Sequence, residues 1–175
     1  MKTDKLIIID LELACWEDKP PGEIIQIGLC LINFTDRTMR HNGFYVRPKQ
    51  DEISEFCTNL TGITPDILKR LGHPLNETFN AIQKHYPLKS VPIGAWGNDF
   101  QKCLDQNIHD PLGSDRLNLA IVHAYMNRLS KSVGLDEALD MAHLKFIGKK
   151  HDAADDAFNL GKLMLHLWGE NKHDI

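Results

Sequence analysis

The run LIIIDLEL, residues 6–13, constrains this chain more than any other segment. Its first half is apolar and rich in β-branched side chains, the pattern of a central strand covered on both faces. Its second half alternates with acids, so the strand's end emerges at the edge of the sheet. The loop WEDKPPGE follows, broken by Pro20, Pro21 and Gly22. A second strand is predicted over residues 23–34, a turn over 35–37, and a third strand around 43–47, stopped by Pro48. Connections this short make the three strands an antiparallel meander. Helical spacing then takes over. Helices are predicted at 52–60, from Pro65 behind a Thr64 cap, and at 76–86, 98–107, 117–129, 135–142 and 153–168. Short strands are expected at 91–95 and 116–119. That order predicts an α/β fold: a mixed central sheet of about five strands with helices on both faces.

The chain has 175 residues and neither repeats nor an interdomain linker, so residues 1–175 are expected to form one domain. Apolar residues make up 42% and charged residues 25%, which excludes a disordered or collagen-like chain. Twenty Lys and Arg against 24 Asp and Glu give a net charge of −4. This excludes a strongly basic protein that coats nucleic acid, though not a local basic groove on an acidic body. Cys15, Cys30, Cys57 and Cys103 are scattered singly, which suggests neither a zinc site nor a disulfide framework. No segment reads as a signal peptide or membrane span, so no membrane partner and a reducing cytoplasmic location are expected.

Three segments carry chemistry. Asp10 and Glu12 lie two apart on a strand and so share a face. Two carboxylates there repel each other and lose solvation, and a divalent cation relieves both penalties. A merely polar strand end gives the same pair by chance. In GAWGNDFQ, Asp99 heads a helix after a short buried strand, where the helix dipole alone would justify an acid. A second buried strand could also bring it beside the first pair. In HDAADDAFN, His151 and Asp156 are five apart and face different ways if both are helical. They converge only if His151 lies in the loop before the helix and Asp156 on its first turns. Gly148 and a capping Asp152 support that arrangement. A solvated acidic helix start accounts for Asp152 and Asp155 but leaves Asp156 unexplained.

D-x-E, then an Asp in a strand-to-helix turn, then H-x-x-x-x-D on the last helix, resembles the DEDDh 3′–5′ exonucleases. These are the DnaQ-like group of the ribonuclease H-like superfamily. DLELACW, EIIQIG and FCTNLTGIT are similar to segments of the branch that trims RNA 3′ ends in histone-mRNA processing and RNA interference, and of its KapD-like bacterial relatives. The resemblance runs from about residue 6 to residue 167.

It implies a ribonuclease H-like fold and two Mg²⁺ or Mn²⁺ ions held by Asp10, Glu12, Asp99 and Asp156. His151 would be the general base, imidazole being the side chain that titrates nearest neutral pH. Phe56 and Leu60 match the positions that clamp the terminal base, and four apart on a helix they share a face; as plain core residues they would look the same. The backbone at Leu13 and Ala14 would meet the terminal ribose. Ala14 stands where that branch has Thr, which bears on discrimination between RNA and DNA. Lys149 and Lys150, before His151, are candidates to hold the strand's backbone, or ordinary surface lysines. The implied substrate is a single-stranded RNA or DNA 3′ end, and the product a nucleoside 5′-monophosphate. A DNA proofreading or repair exonuclease and a non-catalytic nucleic-acid-binding module are the competing readings. His151 argues against the second, since binding needs no base.

Overall fold

The computed structural model describes residues 3–107 and 109–170. Strands β1 (Lys5–Leu13), β2 (Ile24–Asn33) and β3 (Thr38–Tyr45) form an antiparallel meander. β4 (Ile93–Ala95) adds parallel to the other side of β1, and β5 (Arg116–Asn118) parallel to β4, giving the order β3-β2-β1-β4-β5. β1 is therefore central, and its apolar half serves two cores through side-chain alternation. Ile7 and Ile9 join Ile27 and Leu29 of β2 beneath Phe79 and Ile82 of α3 (Leu75–Gln83). Leu6 and Ile8 join Cys30 and Ile32 on the opposite face. They lie beneath Leu160, Leu163 and Met164 of α7 (Ala153–Glu170) and Leu139 of α6 (Leu135–Met141). The mixed five-strand sheet with helices is the expected architecture.

Four smaller helices complete the fold. α1 (Glu55–Thr61) starts three residues later than its apolar spacing suggests, because Ser54 is its cap. The Ser54 hydroxyl accepts from the Cys57 amide at 3.0 Å and donates to the Cys15 carbonyl at 2.6 Å, which clips α1 to the chain leaving β1. α2 (Pro65–Leu71) begins as predicted, with Thr64 accepting from the Ile67 amide at 3.2 Å. α4 (Asp99–Asp105) follows β4 directly, and α5 (Leu119–Met126) follows β5. β3 begins five residues earlier than predicted. Thr38–Asn42 is polar because β3 is an edge strand, so its pairing with β2 leaves no apolar alternation to read. Among the described residues, no helix is long and apolar enough to cross a membrane.

Candidate active site

The parity of β1 decides where its acids go. Asp10 and Glu12 continue the series Leu6, Ile8 and therefore lie on the face covered by α7, whereas Leu11 and Leu13 pack toward the opposite core. Directly across the ladder from Asp10 is Gly28. A β-carbon at Gly28 would overlap the Ala153 carbonyl and come within 2.6 Å of the Ala154 amide nitrogen. The bare glycine thus admits the first turn of α7 onto the sheet, and that turn carries Asp156. Carboxylate oxygens of Asp10, Glu12 and Asp156 consequently lie within 4.8 Å of one another. Asp99, in the first turn of α4, stands outside that triplet but acts electrostatically on both Asp10 and Glu12.

The loop before α7 is fastened at several points. Asp152 is the cap, its Oδ1 accepting from the Ala154 and Asp155 amides at 3.0 and 3.3 Å. Gln26 lies across the ladder from Glu12 and is almost wholly buried. Its amide donates to Asp152 at 3.2 Å and accepts from the Ala153 amide at 3.0 Å, so one neutral side chain ties β2 to the start of α7. His151 falls in the loop, as the spacing requires, with left-handed backbone (φ 60°), and its amide donates to Asp156 Oδ2 at 2.9 Å. Its imidazole is solvent-exposed. Buried Asn159 accepts from the Ile147 amide at 2.9 Å and donates to the Ile147 carbonyl at 2.7 Å, which sets the loop's entry. Neither Gln26 nor Asn159 is singled out by sequence reasoning. The only signal is a polar residue inside an otherwise apolar, buried run.

Burial and mutual repulsion raise every acid of the cluster. Desolvation, then the charges of Asp99, Asp156, Glu12 and Asp152, hold Asp10 well above the ordinary carboxylate range. Desolvation and the charges of Asp156, Asp152 and Asp99 push Glu12 up to about 8, against a small lowering by Lys149. Desolvation pushes Asp99 up to about 7. Asp156 rises to about 6 by desolvation, partly offset by the hydrogen bond from His151. A cluster of carboxylate oxygens that repel one another fits hard divalent cations, and its all-oxygen character does not favour zinc.

The expected substrate contacts divide. Phe56 and Leu60 share the outer face of α1, 38% and 37% exposed, while Cys57 and Thr61 point inward. They form an apolar platform, not core. The Leu13 side chain packs into the core beneath α3, and its carbonyl accepts from the Cys57 thiol at 3.6 Å. Ala14 is fully buried; its amide donates to Glu23 at 2.8 Å and its carbonyl accepts from Gly22 at 2.7 Å. The Ala14 side chain is therefore core, and its amide is already bonded. Lys150 pairs with Asp136 at 2.7 Å, whereas Lys149 reaches across to the Thr61 carbonyl at 2.8 Å.

The chain is similar to known proteins along most of its length. Human 3′-5′ exoribonuclease 1 is 26% identical over 188 residues, covering 94% of this chain and 52% of its own length. ERI1 exoribonuclease 2 of Xenopus laevis is 29% identical over 191 residues, covering 90% of this chain and 27% of its own. The chain thus spans about half or less of the length of these relatives. The nuclease domain of 3′hExo, a DEDDh family member crystallised with rAMP, superposes with a TM-score of 0.81 at 24% identity. That match covers 96% of this chain and 93% of the domain, and it shows the shared fold. The exonuclease family RNase_T matches residues 7–164, a span that begins in β1 ahead of Asp10 and Glu12 and takes in Asp99, His151 and Asp156. By that match the chain belongs to the RNase_T exonuclease family.

Proposed function

We propose that this protein is a divalent-metal-dependent 3′–5′ exonuclease that removes nucleotides from single-stranded RNA ends. One observation carries the reading: three carboxylates from two distant segments converge within 4.8 Å on a partly buried face. RNA is favoured over DNA because the human and Xenopus relatives are both exoribonucleases by name.

The donor set suits Mg²⁺ or Mn²⁺. Asp10, Glu12, Asp156 and Asp99 would hold two such ions, which would supply charge stabilisation for the attacking and leaving oxygens of an in-line displacement. The remaining work falls to the chain. Phe56 and Leu60 receive the terminal base by its apolar face, which is indifferent to base identity. The His151 imidazole, on a loop whose amide is bonded to Asp156, accepts a proton from the water that attacks phosphorus. The bond from phosphorus to the 3′ oxygen of the penultimate nucleotide breaks, and that oxygen takes a proton. The products are a strand one nucleotide shorter and a nucleoside 5′-monophosphate.

The test uses 5′-labelled single-stranded RNA and DNA with Mg²⁺ or Mn²⁺. A ladder shortening from the 3′ end, abolished by EDTA and faster on RNA, is the expected result. A faster ladder on DNA overturns the RNA assignment, and two intact strands with either metal overturn the exonuclease reading in favour of a binding module.

The raised carboxylates also dictate how metal-free protein responds to pH. A carboxylate whose folded pKa exceeds its unfolded value is well accommodated while protonated, and it destabilises the fold as pH rises from the unfolded value to the folded one. With Asp156, Asp99 and Glu12 raised from about 4 to about 6, 7 and 8, stability falls from about pH 4, where the unfolded acids ionise, to about pH 8. Buried His123, held below its ordinary value by desolvation, works the other way in the acid half of that window. Four carboxylates outweigh it. The melting temperature in EDTA is therefore expected to drop steadily from pH 5 to 8. Added Mn²⁺ should restore it by an increment that grows with pH, because metal and protons compete for the same oxygens. A flat profile, or a metal increment independent of pH, would show that the cluster is not the metal site.

A further inference from the structure

Lys149 stands apart from every other lysine near the cleft. Its backbone belongs to the general-base loop, where its amide donates to Asp155 Oδ2 at 2.7 Å. Its side chain leaves that loop and crosses to α1, where the ammonium donates to the Thr61 carbonyl at 2.8 Å. Gly62 makes the approach possible, since any β-carbon there would overlap the ammonium. The same charge is felt by Glu12, whose pKa it lowers. The ammonium is thus held at the C-terminal end of α1, on the residue after the platform residue Leu60, and near enough to the acid cluster for its charge to act on Glu12. An ammonium carries three donors and no acceptor. Among the described residues, it has the Thr61 carbonyl as its one hydrogen-bond acceptor, which leaves donors for a ligand.

Near a base platform and a set of phosphate-directed acids, the chemistry that fits such a donor is a phosphate oxygen. Lys150, the adjacent lysine, is turned away: its ammonium is paired with Asp136 and lies 5.9 Å from the centre of the Phe146 ring. We propose that Lys149 binds the phosphate of the nucleotide being removed, bridging the base platform and the general-base loop, and so makes a phosphorylated terminal nucleotide the preferred occupant of the cleft. The proposal rests on the exonuclease reading above. Its own content is that one lysine of the adjacent pair, and not the other, recognises the strand.

The experiment compares wild type with Lys149→Ala, Lys149→Arg and Lys150→Ala. KM for a single-stranded oligoribonucleotide is measured across a salt series, and binding of adenosine 5′-monophosphate and of adenosine is measured by calorimetry with Mn²⁺ present. Losing one charge-assisted contact is expected to raise KM by about ten- to hundredfold in Lys149→Ala. The slope of log affinity against log salt should become shallower by about 0.7, the increment for one phosphate on a single strand. Adenosine monophosphate should bind Lys149→Ala more weakly while adenosine binds unchanged; Lys149→Arg should recover most of the difference and Lys150→Ala should match wild type. A Lys149→Ala variant that loses only kcat or melting temperature, with salt slope and monophosphate binding intact, would overturn the proposal and leave Lys149 as a strut between loop and helix. An equal effect from Lys150→Ala would overturn it as well. Wild-type protein that shortens no strand would overturn the exonuclease reading instead, and the comparison of monophosphate with nucleoside tests Lys149 without any turnover.

Discussion

Asp10→Asn is expected to abolish strand shortening and, at the same time, to make the metal-free protein more stable. Asp10 is the acid on which the whole cluster bears: Asp99, Asp156, Glu12 and Asp152 all raise its pKa in addition to burial. The amide keeps the carboxylate's shape and removes its charge, so turnover should fall roughly 10³-fold or more through lost metal ligation and transition-state charge stabilisation. The same change relieves repulsion among the three remaining acids. A gain of about 1–2 kcal/mol at pH 8, roughly 2–8 °C for a chain of this size, is the expected consequence. The sign of its pH dependence is fixed by the raised values. The gain should be largest where Asp156, Asp99 and Glu12 ionise, at about pH 6 to 8, should shrink by pH 5, and should vanish only below about pH 4, where the acids are protonated in the folded and the unfolded chain alike. Adding Mn²⁺ should reverse the ranking, since wild type gains a ligand that the variant binds poorly. Thermal melts at pH 5 and 8 with and without Mn²⁺ decide the matter. A variant less stable than wild type at both pH values would mean that Asp10 is a structural hydrogen-bonding group and that the acids do not repel as their proximity demands.

How much of this was legible beforehand follows from the range of the interactions involved. Alternation along β1 is local, so the shared face of Asp10 and Glu12 follows from the sequence alone. Helix geometry likewise requires His151 to lie outside α7 if it is to approach Asp156, and the Asp152 cap starts the helix where that requires. The early start of β3 is hidden because an edge strand exposes Thr38–Asn42 and needs no apolar alternation. Phe56 and Leu60 share a helical face under either a core or a platform reading; only packing distinguishes them, and it turns Cys57 inward instead. Gln26 and Asn159 acquire their roles from partners more than 120 and about a dozen residues away in the chain, and no local pattern announces such bonds. Lys149 and Lys150 are equivalent as letters. They are separated by the Thr61 carbonyl and by Asp136, each of which claims one of them.

Gly28→Ala carries the second large expectation, because this position joins fold to chemistry. Glycine at a central strand position normally weakens a sheet, so its presence needs a reason. The reason is steric: the added methyl would overlap the Ala153 carbonyl and approach the Ala154 nitrogen to 2.6 Å, and both are backbone atoms with no rotamer to escape into. The start of α7 must therefore lift from the sheet. Overpacking of this kind costs about 1–3 kcal/mol, which for a chain of this length lowers the melting temperature by roughly 2–12 °C. The functional cost is larger. Lifting the first turn stretches the bonds from Gln26 to Asp152 and Ala153 and carries Asp156 away from Asp10 and Glu12. A displacement of about 1 Å in a positioned group costs on the order of a hundredfold in rate. Gly161→Ala supplies the comparison on the same helix. There a β-carbon meets Cys30 Sγ at 2.9 Å and Met39 Sδ at 3.1 Å, more than one turn beyond Asp156. Gly161→Ala should lower the melting temperature yet keep near-wild-type turnover and Mn²⁺ affinity at temperatures where it is folded, whereas Gly28→Ala should lose turnover and Mn²⁺ affinity even when fully folded. Equal activity in the two folded variants would mean that contacts other than the bare face of β2 place Asp156, with the loop held by Asn159 the next element to test.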